Sequence, residues 1–366
     1  MRCNVLLYFD KYSIAFVAVK TLQCNVSTIF THYSMNRILI TGANGLVGSA
    51  TARRFLEAGF RVSALCRVSS DLTLLKDIAD KITLIEGDIL DIHSLETALE
   101  NQDFVVHTAA IVSFAPKDRN RMFKVNVEGT ANLVNICLEK NIKKLCHVSS
   151  VAALGRTTSA SEKVFGGIID ENQKWEDSPL NSHYAKSKYE AELEIWRAEA
   201  EGLAVVVVNP SIILGEGDWH KSSTKLFKYV YDQNKYYTNG DFNYVDVRDV
   251  VEAIFRLTTS NIKGERFILN AGTITYKELF EKIALVFNKK APSHTLSSFW
   301  IGVLWRLEAL RAFFTNKSPL ITKETALNSR TKFAYKNQKV QQAINFQFTD
   351  LDETISRVCD FLQKQA

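Results

Sequence analysis

The stretch Ser182-His183-Tyr184-Ala185-Lys186-Ser187-Lys188-Tyr189-Glu190 sets a phenol and an amine four residues apart. On a helix that spacing puts Tyr184 and Lys188 on one face, one turn from each other. A free tyrosine titrates near ~10, too high to exchange protons readily at neutral pH. An ammonium beside it favours the phenolate and lowers that value, which would equip the pair for general acid and base work. A solvated helix face carries the same residue types, so the pair has to be judged by its context. Tyr189 is set aside, because its i+4 partner is Leu193.

The context begins upstream. Arg37-Ile38-Leu39-Ile40 reads as a buried strand, followed by Thr41-Gly42-Ala43-Asn44-Gly45-Leu46-Val47-Gly48 and a helical pattern through Phe55-Leu56 to Gly59. Strand, glycine loop and helix make a phosphate cradle: Gly42 for the tight turn, Gly45 for close backbone approach to a pyrophosphate, Gly48 for helix-to-strand packing. A glycine triplet alone is a weak signal. Here Arg61 to Cys66 supplies a second strand at the βαβ distance, and Ile82-Thr83-Leu84-Ile85 a third. An NAD site usually ends its second strand with an acidic residue on the ribose hydroxyls. This chain has Leu65-Cys66-Arg67, with Ser69 and Ser70 close by, and a guanidinium suits a 2′-phosphate. NADP(H) is therefore expected in preference to NAD(H).

Gly87-Asp88-Ile89 follows the third strand, and Val105-Val106-His107-Thr108-Ala109-Ala110 ends a fourth. Both fall at carboxyl ends of parallel strands, where open α/β sheets bind ligands. Asp88 reads as an adenine contact, and the small Thr108, Ala109 and Ala110 would let a ribose lie close. A lone His107 at a strand end is more often structural.

With a fifth strand, Leu145-Cys146-His147-Val148-Ser149-Ser150, and the Tyr184-x-x-x-Lys188 spacing, the chain from Met35 onward resembles the extended short-chain dehydrogenase/reductase superfamily, also called the NAD-dependent epimerase/dehydratase family. Asn126 within Val125-Asn126-Val127-Glu128-Gly129-Thr130 falls in family order. Val208-Asn209-Pro210-Ser211-Ile212-Ile213-Leu214-Gly215 looks like the dihydroflavonol 4-reductase and 3β-hydroxysteroid dehydrogenase branch, although Glu216 replaces the usual proline. The resemblance implies a doubly wound parallel-sheet Rossmann fold with a smaller C-terminal substrate lobe. It implies Tyr184 as acid/base, Lys188 on the nicotinamide ribose, Ser150 on the substrate oxygen with Ser149 as the alternate, Asn126 supporting a water that connects Lys188 to solvent, and Asn44, Leu46, Val47, Ile89 and Pro210 among the cofactor contacts.

The expected organisation is an extension over 1–34 outside the fold, a nucleotide-binding domain over 35–210 completed by about 244–262, and a substrate lobe from 211–243 and 263–366. Trp219, Phe227, Tyr229, Tyr231, Tyr236 and Tyr237 crowd that lobe and suit an apolar or aromatic small-molecule substrate, each taken singly being equally at home in a core. The six cysteines lie far apart with no zinc spacing, so no metal is expected and a cytoplasmic setting fits. The formal net charge is +5, yet Val286 to Asn345 holds ten Lys/Arg against two Glu. Inside it, 299–314 reads as a short apolar helix with interspersed arginines: either a lid or dimer-packing element, or a peripheral contact with an anionic membrane surface. No nucleic-acid module accompanies the charge. Two further readings stay open: a nucleotide-sugar epimerase or dehydratase with tightly held NAD, and a cofactor-sensing protein without turnover.

Overall fold

The computed structural model describes residues 35–156, 167–219, 223–297 and 333–365, with scattered helical residues between 300 and 311. The expected extension over 1–34 and most of the 299–314 helix lie outside the described residues. Among the described residues no helix is long and apolar enough to cross a membrane.

Near-continuous apolar runs such as Val205-Val206-Val207-Val208 can only be stable where both faces of a sheet are covered. Seven strands meet that condition in one parallel sheet, ordered Glu265–Leu269, Val205–Pro210, Lys144–Val148, Phe104–His107, Arg37–Thr41, Arg61–Cys66, Thr83–Glu86. Helices Leu46–Glu57 and Val247–Thr259 pack one face around Ile38, Ile40, Phe55 and Ile254. Helices Gly129–Glu139 and His183–Ala200 cover the other, around Leu39, Val105, Leu133 and Ile195. The architecture is the doubly wound α/β sheet that the glycine loop and strand spacing predict.

From Arg37–Thr41 the chain winds outward to Thr83–Glu86, then returns to Phe104–His107 on the opposite side. Loops after Thr41 and His107 therefore diverge, and a crevice opens at the carboxyl ends of these neighbours. Gly42 makes the turn there with φ of 67°, and a Cβ on it would lie 2.7 Å from the Ala109 backbone. Gly48 faces the Gly42 carbonyl so closely that a methyl group would collide with it.

The boundary expected at 263 is corrected. Glu265–Leu269 pairs with Val205–Pro210 as the edge strand of the large sheet, so the second lobe resumes only after it. That lobe combines a three-stranded sheet (Ile212–Leu214, Asp241–Asp246, Gly272–Thr275) with helices Thr224–Tyr231, Tyr276–Phe287 and Leu351–Gln363. Most of the aromatics expected to line a cleft build its core instead: Phe227 is fully buried, and Trp219, Tyr229, Tyr231 and Tyr237 pack against it and its neighbours, while Tyr236 is exposed. Glu216 pairs with Arg357 of the last helix, and with Arg248 at 3.7 Å, which pins the loop after Gly215 to the C-terminal segment.

Gly42→Ala should lower stability by about 1–3 kcal/mol, as expected for overpacking. Gly59, with φ of 81° but nothing within 4 Å of a Cβ, is the control for backbone strain alone. Thermal unfolding should show a clearly larger loss for Gly42→Ala than for Gly59→Ala; equal losses would mean that the loop after Thr41 yields freely.

Candidate active site

A cavity of about 250 Å³ occupies the switch-point crevice, walled by Gly42, Asn44, Gly45, Leu65, Cys66, Arg67, Ser70, Gly87, Asp88, Ile89, Thr108, Ala109, Ala110, Ile111 and Val125. Nine of the residues singled out for a cofactor thus meet in one place. The Thr108 hydroxyl donates to the carbonyls of Thr41 (2.7 Å) and Gly42 (3.2 Å), so it clamps the glycine turn. Asp88 accepts from the Leu90 N–H at 3.0 Å, which sets its carboxylate at the floor of the crevice. Arg67 is exposed at the rim, and among the described residues its guanidinium makes no hydrogen bond or ion pair.

Leu46, Val47, Gly48 and Pro210 do not line this cavity. Leu46 and Val47 open helix Leu46–Glu57, where first-turn N–H groups lack intrahelical partners, and the Val47 side chain packs into the core. Pro210 is buried at the end of its strand. The lining suits a phosphate-bearing ligand: the helix start leaves N–H groups free for an anion, and the absence of a side chain at Gly42 leaves the backbone open to close approach.

Helix His183–Ala200 begins at Ser182, whose hydroxyl accepts from the Ala185 N–H at 3.0 Å. That cap sets the phase of the helix and puts Tyr184, Lys188 and Glu192 in one row. Tyr189 faces elsewhere, stacked on Trp175 at 4.5 Å. Between the two serines left open by sequence, Ser150 is the one whose hydroxyl favours the Tyr184 phenolate. Phe114, which the sequence reading passed over, stands edge-on to Tyr184 with ring centroids 5.9 Å apart.

The electrostatics differ from the sequence expectation. Burial pushes the Tyr184 phenol above its ordinary value, and the Ser150 hydrogen bond opposes it. The Lys188 amine is engaged elsewhere: its Nζ donates to the Val148 carbonyl at 3.0 Å and to His147 Nε2 at 3.4 Å. Burial lowers the Lys188 amine to about 8, with Glu192 acting in the other direction.

Beneath the pair runs a buried polar chain. Thr41 Oγ1 lies 2.7 Å from His107 Nδ1, and His107 Nε2 lies 2.9 Å from Thr130 Oγ1. Because the Thr130 hydroxyl donates to the Asn126 carbonyl at 2.6 Å, it accepts from His107, and His107 carries its proton on Nε2. Asn126 sits in a π-helical turn, Lys124–Glu128, and its amide holds both backbone groups of Ile111 (2.7 and 3.0 Å) and the Ser187 hydroxyl (3.0 Å). Its side chain therefore joins the loop after the fourth strand to helix His183–Ala200. His107 and His147, read as structural or left unassigned, face each other with centroids 5.1 Å apart. Period-two alternation could not mark them, because both sit in strands buried on both faces.

Fold and site define a dinucleotide-dependent enzyme of the extended short-chain dehydrogenase/reductase type. The chain belongs to the NAD dependent epimerase/dehydratase family, whose model matches residues 38–272. It is 28% identical to a Synechocystis sp. protein provisionally named a dihydroflavonol 4-reductase, over 88% of this chain and 94% of that one. It is 27% identical to cinnamoyl-CoA reductase 1 of Petunia hybrida, over 68% and 77% of the two chains. The solved structure of gox2253 superposes with a TM-score of 0.76 at 28% identity, covering 90% of this chain and 99% of that one.

Burial, with the Lys188 charge, drives His107 down to about 3 and His147 well below its ordinary value. Both are neutral in the folded state, whereas the unfolded chain binds protons below about 6.5. Their contribution to stability is thus complete above about pH 6.5 and is lost as pH falls toward about 3. The unfolding midpoint should fall between about pH 6.5 and 5, above the ordinary carboxylate range. His107→Asn should be less stable at neutral pH and show a flatter slope in that window; an unchanged slope would count against buried neutral His107.

Proposed function

We propose that the protein transfers hydride between NADP(H) and a carbonyl or secondary alcohol of an apolar or aromatic small molecule, with Tyr184 as general acid and base. The observation that carries this reading is the row of Tyr184 and buried Lys188 one turn apart on helix His183–Ala200, with the Ser150 hydroxyl favouring the Tyr184 phenolate. When bound, the nicotinamide supplies or accepts the hydride. The protein's own residues handle the proton and the oxygen.

Ser150 and Tyr184 would hold the substrate oxygen between them. As negative charge develops on that oxygen, the Tyr184 hydroxyl transfers its proton. Burial keeps the phenol protonated near neutral pH, which suits the direction of carbonyl reduction. Lys188, with an amine near 8, is largely cationic at neutral pH and stabilises the tyrosinate left behind. Asn126 positions the helix from the far side through Ser187. Phe114 offers an aromatic edge beside the reacting group, in keeping with reductase relatives rather than a sugar-binding site.

Arg67 supports NADP(H) over NAD(H): it is an unpaired guanidinium where the second strand ends, with Ser70 in the same wall. The segments 211–243 and 270–365 would select the substrate. A nucleotide-sugar epimerase reading would be favoured only if purified protein retained NAD tightly.

Tyr184→Phe should abolish NADPH oxidation across a panel of aryl ketones while NADPH affinity, measured by calorimetry, stays nearly unchanged. Retention of the wild-type rate would remove Tyr184 from the mechanism. Arg67→Ala should weaken NADPH binding at least tenfold, the order expected for one charge-assisted phosphate contact, and leave NADH binding almost untouched. Equal losses for both cofactors would overturn the 2′-phosphate assignment.

A further inference from the structure

We infer that Glu192 is a positioning residue for the Tyr184–Lys188 pair: its buried carboxylate keeps Lys188 cationic and, through Asn209, fixes the strand end that carries Ser150. The inference rests on the reading of Tyr184, Lys188 and Ser150 given above.

Glu192 follows Lys188 by one turn and Tyr184 by two, and it is 1% exposed. A carboxylate so deeply buried is costly unless its surroundings suit it. Asn209 Nδ2 donates to Glu192 Oε1 at 2.6 Å, and Arg266 Nη1 lies 3.6 Å from Oε2. Burial raises the acid above its ordinary value, and the Ser149 and Asn209 side chains, Arg266 and Lys188 all oppose that rise by favouring the ionised form. Arg266 is itself held by the carbonyls of Glu171 and Gln173, each at 2.8 Å.

The same Asn209 amide also donates to the Ser150 carbonyl at 3.0 Å. Glu192 thereby ties the catalytic helix to the strand end bearing Ser150 and to Asn209 in the neighbouring strand. The charges and titratable groups around Lys188 are His147, His107 and Glu192, with Arg266 on the far side of Glu192 and the Tyr184 phenol one turn back. Both histidines are neutral, so Glu192 is the anion that offsets the buried ammonium. An interior ion pair acts at longer range than one in water, because there is little solvent to screen it.

Carbon-13 lysine labelling of the full-length protein, with Lys188→Met to identify the signal, titrates Lys188 without any substrate. Glu192→Gln preserves length and an oxygen for Asn209 while removing the charge. It should lower the Lys188 pKa by about one unit, the low end for loss of a neighbouring opposite charge. In NADPH oxidation with an aryl ketone, the basic limb of kcat should move down by the same amount, giving about fivefold lower kcat near pH 8 and little change at pH 6. KM for NADPH should hold, and Glu192→Asp should restore most of the shift. An unmoved Lys188 titration in the glutamine variant overturns the inference even if Tyr184→Phe is inactive. Turnover by Tyr184→Phe would instead overturn the tyrosine assignment and leave the Lys188 titration readable. If the glutamine variant does not fold, Glu192→Ala serves in its place: a downward shift of the Lys188 titration supports the inference, and none overturns it.

Discussion

An ammonium buried at the carboxyl end of a parallel sheet is the constraint around which this site is organised. Lys188 is 2% exposed, and an isolated charge at that depth would either lose its proton or draw in water. The protein meets the problem with a strand-end carbonyl, a neutral imidazole and a carboxylate one turn along the helix. Each of those groups belongs to a different constraint of the fold. Val148 and His147 end the strand Lys144–Val148, while Glu192 belongs to helix His183–Ala200.

The polar chain from Thr41 to Asn126 follows from the same burial. Two histidines and a π-helical turn lie under the crevice, where unpaired polar groups would be costly, and nearly every one finds a partner. His147 Nδ1 is an exception, without a hydrogen bond. That arrangement fixes the loop after the fourth strand against helix His183–Ala200, since Asn126 grips Ile111 on one side and Ser187 on the other. The loop after the fourth strand and the helix bearing Tyr184 are thus coupled through packed side chains rather than through the exposed loops.

The second lobe is anchored by charge as well as by its core. Arg357 reaches both Glu216 and Asp246 from the last helix, and Asp246 caps the helix that returns to the large sheet. Glu216, where family resemblance leads one to expect a proline, therefore gives the loop beyond strand Ile212–Leu214 an ionic tether in place of a stiff backbone. Substrate selection would act on a loop held from behind, with Phe114 contributed by the nucleotide-binding side.

Local signals were enough for the glycine turn, the strand order up to the switch point and the i+4 row of Tyr184 and Lys188, because each depends on chain neighbours and on periodicities of two or 3.6. The row could even have been extended to Glu192 by counting one more turn. Long-range placement was not legible. Whether Ser149 or Ser150 meets the phenol depends on the twist of a strand end, and the direction of the Lys188 amine depends on Val148 and His147, some 40 residues earlier. The strand Glu265–Leu269 joins the large sheet because Val205–Pro210 leaves an edge to be covered, and most of the aromatics of 219–237, Tyr236 excepted, pack into the core of the second lobe. Sequence by itself determined which residues could do chemistry; burial, which exists only after distant segments pack, decided their charge and their direction.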